Sequence, residues 1–152
     1  MTTVTVAETT TATAEQFLAA LTDFGPNRSE IWANSQPKFL VVHDQGDTWA
    51  DVTEGSSAAG AIWERLRYDW SNPHDIVLTT TDSNTWGRKS GHRYTLTPNA
   101  DGTTSLRAVL VRDGISMKGR LVALLLAVTG RSLFGKSLRT TLRAIEARNA
   151  GR

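Results

Sequence analysis

Apolar residues recur along this chain with two different periods. Up to about residue 113 they sit in short runs that alternate with polar residues and are broken by turns. From about 115 to 149 there is no proline, and they recur every three or four positions. Alternation belongs to strands with one buried face, and the longer period to one face of a helix. Val4 and Val6 among threonines predict a strand over 3–10. Thr13-Ala14-Glu15-Gln16 is a capping-box pattern, in which the threonine hydroxyl takes a free backbone N–H and the glutamine reaches back to the cap. Phe17, Leu18 and Leu21 then form a short helical face that ends at Asp23-Phe24-Gly25. Pro26 suits a first helical position, and 27–34 reads as a second short helix, carrying Ile31 and Trp32 and ended by Pro37. Strands follow over 39–43, 49–53, 61–70, 76–81, 86–97 and 105–112. The turns between them include Gln45-Gly46-Asp47, Glu54-Gly55-Ser56 and Pro98-Asn99-Ala100-Asp101-Gly102. Connections this short require antiparallel neighbours.

The terminal helix is marked by Met117, Leu121, Leu124, Val128, Arg131, Gly135, Leu138, Leu142 and Ile145, spaced alternately four and three apart. Both ends of that line are apolar. Its middle is Arg131 and Gly135, with Gly130 beside them. A helical glycine costs about 1 kcal/mol relative to alanine. Either the helix kinks or breaks near Thr129-Gly130, or the small residues leave room over a cavity. Together the elements predict an α+β fold: a curved, seven-stranded antiparallel sheet wrapped around a long C-terminal helix, with two short helices after the first strand. Residues 1–152 are expected to form a single domain, with a hollow between sheet and helix.

Composition narrows the function classes. There is no cysteine, so disulfides and thiolate chemistry are excluded, as suits a reducing cytosol. The first ten residues lack the basic and apolar regions of a secretory signal, and a cytoplasmic location is expected. The longest apolar run, 121–128, is 8 residues against about 20 for a bilayer span. No transmembrane segment is expected, which leaves transient contact with a membrane surface open. The net charge of +2 hides a split: residues 114–152 carry +7 and residues 1–113 carry −5. The basic residues of the helix are scattered around it and no aromatic-interleaved basic patch occurs, so nucleic acid is not expected as a partner. A cationic helix set against an acidic sheet explains the split, and a regulatory protein-interaction module using that helix is an alternative.

Three segments carry a family resemblance. Thr13-Ala14-Glu15-Gln16-Phe17 through Leu21-Thr22-Asp23 looks like a first-helix entry. Gly60-Ala61-Ile62-Trp63-Glu64-Arg65 looks like a glycine-led third sheet strand, and Lys118-Gly119-Arg120-Leu121 fits the opening of a last helix. With the order of elements, these resemble the START/birch-pollen-allergen superfamily, and within it the polyketide cyclase/dehydrase-like branch (SRPBCC). The resemblance covers nearly the whole chain. It implies the helix-grip fold, with a hydrophobic cavity that takes a lipid, polyketide, aromatic compound or other apolar small molecule. A minority of members are cyclases or aromatases. The family has no universal catalytic motif, so it transfers no catalytic residue and implies no cofactor.

Residues 130–137 match the phosphate-loop pattern G-x-x-x-x-G-K-[ST] letter for letter. The run before them is rich in Leu and Ala, which favours helix over the required strand, and the terminal helical spacing passes straight through the match. His43, His74 and His92 are far apart, without paired carboxylates at ligand spacing, so no metal site is expected. What remains lies on the long strands. Ile62, Glu64, Leu66, Tyr68 and Trp70 share one face; so do Ile76, Leu78, Thr80 and Asp82; so do Trp86, Arg88, Ser90, His92, Tyr94 and Leu96. If these faces point inward, Glu64, Tyr68, Asp82, His92 and Tyr94 project into an apolar hollow. There they form a hydrogen-bonded core network, orient a polar ligand head, or supply acid/base catalysis by His92 with Tyr68 or Glu64. Tryptophans also make good cavity walls. The expected ligand-binding set is Trp32, Glu64, Leu66, Tyr68, Trp70, Asp82, Trp86, Ser90, His92, Tyr94, Leu124, Val128 and Arg131. The expected function is binding or carriage of an apolar small molecule, by a monomer or dimer, without a cofactor. The alternative is a cyclase/dehydratase-type enzyme.

Overall fold

In a computed structural model describing residues 1–151, strand β1 (Thr2–Thr10) leads into helix α1 (Ala14–Leu21). The capping box forms: Gln16 N donates to Thr13 Oγ1 at 3.1 Å, and Thr13 N donates to Gln16 Oε1 at 3.0 Å. α1 buries Ala14, Phe17, Ala20 and Leu21. The second short helix is reduced to a 3-10 turn, Arg28–Glu30, and a further 3-10 turn, Pro37–Phe39, begins at the proline. Asn27, Ser29, Asn34 and Ser35 are poor helix formers and lower the helix propensity of this segment. Strands β2 (Val41–Gln45), β3 (Trp49–Ser56), β4 (Ile62–Asp69), β5 (Asp75–Ser83), β6 (Gly91–Pro98) and β7 (Thr104–Arg112) follow, then helix α2 (Met117–Asn149). One antiparallel sheet holds all seven in the order β1-β7-β6-β5-β4-β3-β2. Each strand from β2 on pairs with the next, and β7 returns to β1.

Two strand boundaries depart from expectation by three residues or more. β3 continues through Glu54 to Ser56, and the chain turns at Ala59, Gly60 and Ala61, all at positive φ. β6 starts only at Gly91. Residues 86–90 loop away, with Gly87 N donating to Asp113 O at 2.7 Å and Ser90 N to Gly87 O at 2.9 Å. Between β4 and β5 the register shifts: Arg65 faces Asp82 while Leu66 faces Thr80, so Thr81 is an extra residue. Such a bulge inverts the facing of the residues beyond it. Asp82 therefore turns to solvent, and Ser83 is buried.

α2 is continuous through Gly130, and residues 130–137 are helical throughout, not a phosphate loop. The glycines serve close packing. A Cβ on Gly130 would lie 2.7 Å from Val4 Cγ2, and one on Gly119 would lie 2.5 Å from Thr85 O. Contacts ascend together along β1 and α2: Thr2 Oγ1 donates to Ala123 O, Arg139 pairs with Glu8, and Thr10 Oγ1 donates to Glu146 Oε1. The line from Met117 to Ile145 does not face the sheet over its whole length. Gly135, Leu138, Leu142 and Ile145 are buried, but Met117, Leu121, Leu124 and Val128 are exposed. The cause is geometric. A repeat of 3.5 residues drifts about 20° per heptad around a helix of 3.6 residues per turn. The four heptads from Met117 to Ile145 thus rotate by about 80°. In the first half the small residues Gly119, Ala123 and Gly130 face the protein instead.

Candidate functional site

A cavity of about 170 Å³ lies between the sheet and the second half of α2. Leu66, Leu78 and Leu110 line it from the sheet, Phe134, Leu138 and Thr141 from α2, and Leu21 and Trp32 from the region of α1. An engineered apolar cavity of about 150 Å³ holds benzene, so the space suits about one substituted ring. It is smaller than the roughly 300–1,000 Å³ of a drug-sized pocket.

Two polar networks are set into this apolar wall. In the first, Arg112 at the end of β7 grips Glu64 of β4 with two bonds, Nη1 to Oε2 at 3.1 Å and Nη2 to Oε1 at 3.0 Å. Thr80 Oγ1 donates to Glu64 Oε2 at 2.9 Å, and the Trp86 ring packs against the guanidinium with its centroid 5.1 Å away. Burial alone would raise the Glu64 pKa. The Arg112 charge and the hydrogen bonds around the carboxylate outweigh burial and hold it at about 2. His92 Nε2 stands 3.8 Å from Glu64 Oε1, beyond hydrogen-bond reach, and only 2.8 Å from Arg112 Nη2. A guanidinium can only donate, so Nε2 accepts, which assigns the ring proton to Nδ1. Nδ1 lies 3.3 Å from the Tyr94 hydroxyl. The Tyr94 oxygen therefore accepts from His92. Among the described residues no protein acceptor takes the Tyr94 proton, and Tyr94 lines the cavity. Phe17 fixes the Tyr94 ring edge-on, with centroids 5.2 Å apart. Burial, then the nearby Glu54 charge, pushes the Tyr94 pKa up, so the phenol keeps its proton.

The second network is closed. Arg28 Nε donates to Glu54 Oε1 at 2.8 Å and to Ser35 Oγ at 3.0 Å, Nη1 to the Leu21 and Asp23 carbonyls, and Nη2 to the Tyr68 hydroxyl at 3.0 Å. Ser35 Oγ also donates to Glu54 Oε1, and Tyr68 donates to Glu54 Oε2. Burial and the Glu54 charge raise the Tyr68 pKa well above that of a free phenol. Each of these buried polar atoms has a protein partner, so the network pins the segment after α1 to β3 and β4.

The expected site residues divide accordingly. Trp32, Leu66, Tyr68, His92 and Tyr94 line the cavity. Glu64 and Trp86 stand behind the wall and hold Arg112. The others lie elsewhere. Trp70 is half-buried, its Nε1 donating to Asp47 O at 3.0 Å. Ser90 Oγ accepts from Asp113 N at 2.9 Å. Asp82 is turned out by the bulge, and Leu124, Val128 and Arg131 face solvent because of the helical drift. Among the proton-transfer candidates, Glu64 is ionised with both oxygens engaged and Tyr68 is tied to Glu54. Only His92 keeps a link to a free proton, through Tyr94. The residues that sequence reasoning passed over are Arg112, Glu54 and Arg28. Alternation could have found two of them: Leu106, Ala108, Leu110 and Arg112 share one face of β7, and Ala50, Val52 and Glu54 one face of β3. Among the described residues no three His, Asp or Glu side chains converge as metal ligands.

No family model matches the chain, and no curated protein matches it. Solved structures do. A protein from Thermus thermophilus superposes with a TM-score of 0.75 at 11% identity, over 97% of this chain and 99% of that one. The Zhui aromatase/cyclase from Streptomyces sp. R1128 gives 0.70 at 17% identity, over 98% and 97%. A START superfamily protein from Mycobacterium smegmatis gives 0.65 at 14% identity, over 96% and 95%. The chain has the START-like helix-grip fold. At these identities the likeness is one of fold: a sheet gripping a terminal helix, with polyketide cyclase-like proteins among its neighbours. In helix-grip terms, the gripped part of this protein is the second half of α2, and the cavity lies there.

Proposed function

We propose that the cavity binds an apolar small molecule of about one ring, or a short acyl chain, with a hydrogen-bond acceptor seated against the Tyr94 hydroxyl. The observation that carries this is the Tyr94 hydroxyl, whose proton has no protein acceptor among the described residues, at a wall that joins Leu66, Leu78, Leu110 and Phe134 to the polar groups of His92 and Arg112. Arg112 and His92, which also line the cavity, support it, because the His92 Nδ1–H bond to the Tyr94 oxygen makes the phenol a better donor. The test is titration with matched single-ring ligands, with and without a carbonyl, followed by the fluorescence of Trp32 in the wall. Tyr94→Phe should weaken the carbonyl ligand by about tenfold and leave the hydrocarbon unchanged. Equal loss for both ligands, or none for either, would sink the reading. Organic extraction of the natively purified protein should release the natural occupant.

A second reading, a cyclase or dehydratase, is favoured by the same Tyr94–His92 pair, which presents the Tyr94 proton to a bound carbonyl and steadies the phenolate left behind through the His92 Nδ1–H bond. The Zhui aromatase/cyclase shares the fold. On this reading His92→Gln and Tyr94→Phe abolish turnover of a polyketide-like substrate at undiminished binding. Parallel loss of binding and turnover favours the binder.

A further inference from the structure

The first half of α2 turns its large apolar side chains away from the protein. Met117 is 86% exposed, Val128 83% and Leu124 64%, with Leu121, Leu125 and Ile115 beside them. Single exposed apolar residues need no explanation, but a contiguous stripe does. At about 100° per residue, Lys118 and Lys136 fall on one flank of this stripe, and Arg120 and Arg131 on the other. None of these four cations forms a salt bridge among the described residues. In the gripped half, by contrast, Arg139 pairs with Glu8 and Arg148 with Asp23. No acid occurs between Asp113 and Glu146.

We propose that this face docks on the surface of an anionic lipid bilayer, with α2 lying in the membrane plane. An apolar stripe flanked on both sides by unpaired cations is the pattern of an interfacial helix. Anionic headgroups complement the flanks. A second copy would set the same cations against each other, a like-charge arrangement that interfaces avoid. α2 contains an 18-residue window of mean hydropathy 1.4, enough by length and composition to cross a membrane, and 22% of that window is buried. The bond from Thr2 to Ala123 O and the fit of Gly130 on Val4 keep the helix on the sheet, so the apolar face meets the bilayer from the side. The fully exposed sequence run is short, but the helix assembles it into a surface.

Co-sedimentation with phosphatidylcholine vesicles, with and without phosphatidylglycerol, tests the assignment. The protein should bind the phosphatidylglycerol vesicles and lose binding as salt rises. Leu124→Glu with Val128→Glu should lower binding at least tenfold. Lys118→Ser and Arg131→Ser should each lower it about fivefold. These positions are exposed, so helical circular dichroism should be unchanged in every variant. The salt series on the unaltered protein gives a readout that no variant can confound. Absence of vesicle binding, binding indifferent to phosphatidylglycerol and salt, or a dimer that Leu124→Glu dissolves would each overturn the proposal. Tyr94→Phe should leave vesicle binding intact, which separates this surface from the cavity.

Discussion

Replacing Arg112 by methionine is the most informative single perturbation of the site. Methionine keeps much of the side-chain volume but removes both bonds to Glu64 and the bond to His92 Nε2. The carboxylate has its pKa lowered from 4.5 to about 2 by its surroundings, a preference for the ionised form of roughly 3 kcal/mol. Removing the cation leaves a buried charge with only Thr80 as a strong partner. Breaking a buried pair this way costs about 3–5 kcal/mol, a large share of a typical domain's stability of about 5–15 kcal/mol. Glu64→Gln should also destabilise, because Arg112 then stays charged and buried. The double variant, Glu64→Gln with Arg112→Met, removes both charges and should recover most of the loss, giving a coupling of about 3 kcal/mol. Urea unfolding near pH 7, followed by tryptophan fluorescence, reads all four proteins. Additivity of the two single changes to within about 0.5 kcal/mol would refute the pair as the element holding this wall.

Four further outcomes are expected. Glu64 has a folded pKa below its unfolded value, so its contribution is complete above about 4.5 and is lost as pH falls towards about 2. The stability difference between the native protein and Glu64→Gln should therefore shrink across that window by roughly 3 kcal/mol, and unfolding titrations at several acidic pH values would show it. Gly119→Ala should destabilise by about 1–3 kcal/mol, since its Cβ would meet Thr85 O at 2.5 Å. Gly135→Ala should stabilise by up to about 1 kcal/mol, because its nearest contacts are 3.4 and 3.7 Å away; thermal melts of the two variants should move in opposite directions. Thr13→Ala removes the α1 cap and should cost about 1 kcal/mol, measured by the same melts.

The sheet and its one terminal helix were legible because both periods were clean over long stretches. Parity on β4 and β6 placed Leu66, Tyr68, His92 and Tyr94 on the inner face, where they are buried. Asp82 failed because the bulge falls within Thr79-Thr80-Thr81, three identical residues that carry no sign of an inserted position. Arg112 and Glu54 were recoverable by the same parity, but a charge at a strand end also reads as a solvated terminus. Arg28 was not recoverable: its carbonyl, hydroxyl and carboxylate partners come from four separate segments. The helix failed in a more instructive way. Spacings of four and three describe a line that stays on one face only if the helix supercoils, and the sheet forces no supercoil on α2. The second half of the line therefore completes the core, and the first half is left outside.

The buried ion pairs are hard to explain by stability. Replacing a buried pair with apolar residues of similar volume is often neutral or stabilising by about 1–4 kcal/mol, and this wall already contains Leu66, Leu78 and Leu110. A leucine-like pair at Glu64 and Arg112 would satisfy the packing. It would also leave His92 without the donor that sets its tautomer, and Tyr94 without the hydrogen bond that directs its proton. The wall's polarity is thus better accounted for by what it does to one hydroxyl than by what it adds to the fold. The contrast with Arg28 and Glu54 sharpens the point. That pair is more deeply buried, and each of its buried polar atoms has a partner within the protein, as a structural brace requires, whereas the Arg112 chain ends on the Tyr94 hydroxyl, whose proton has no protein acceptor among the described residues.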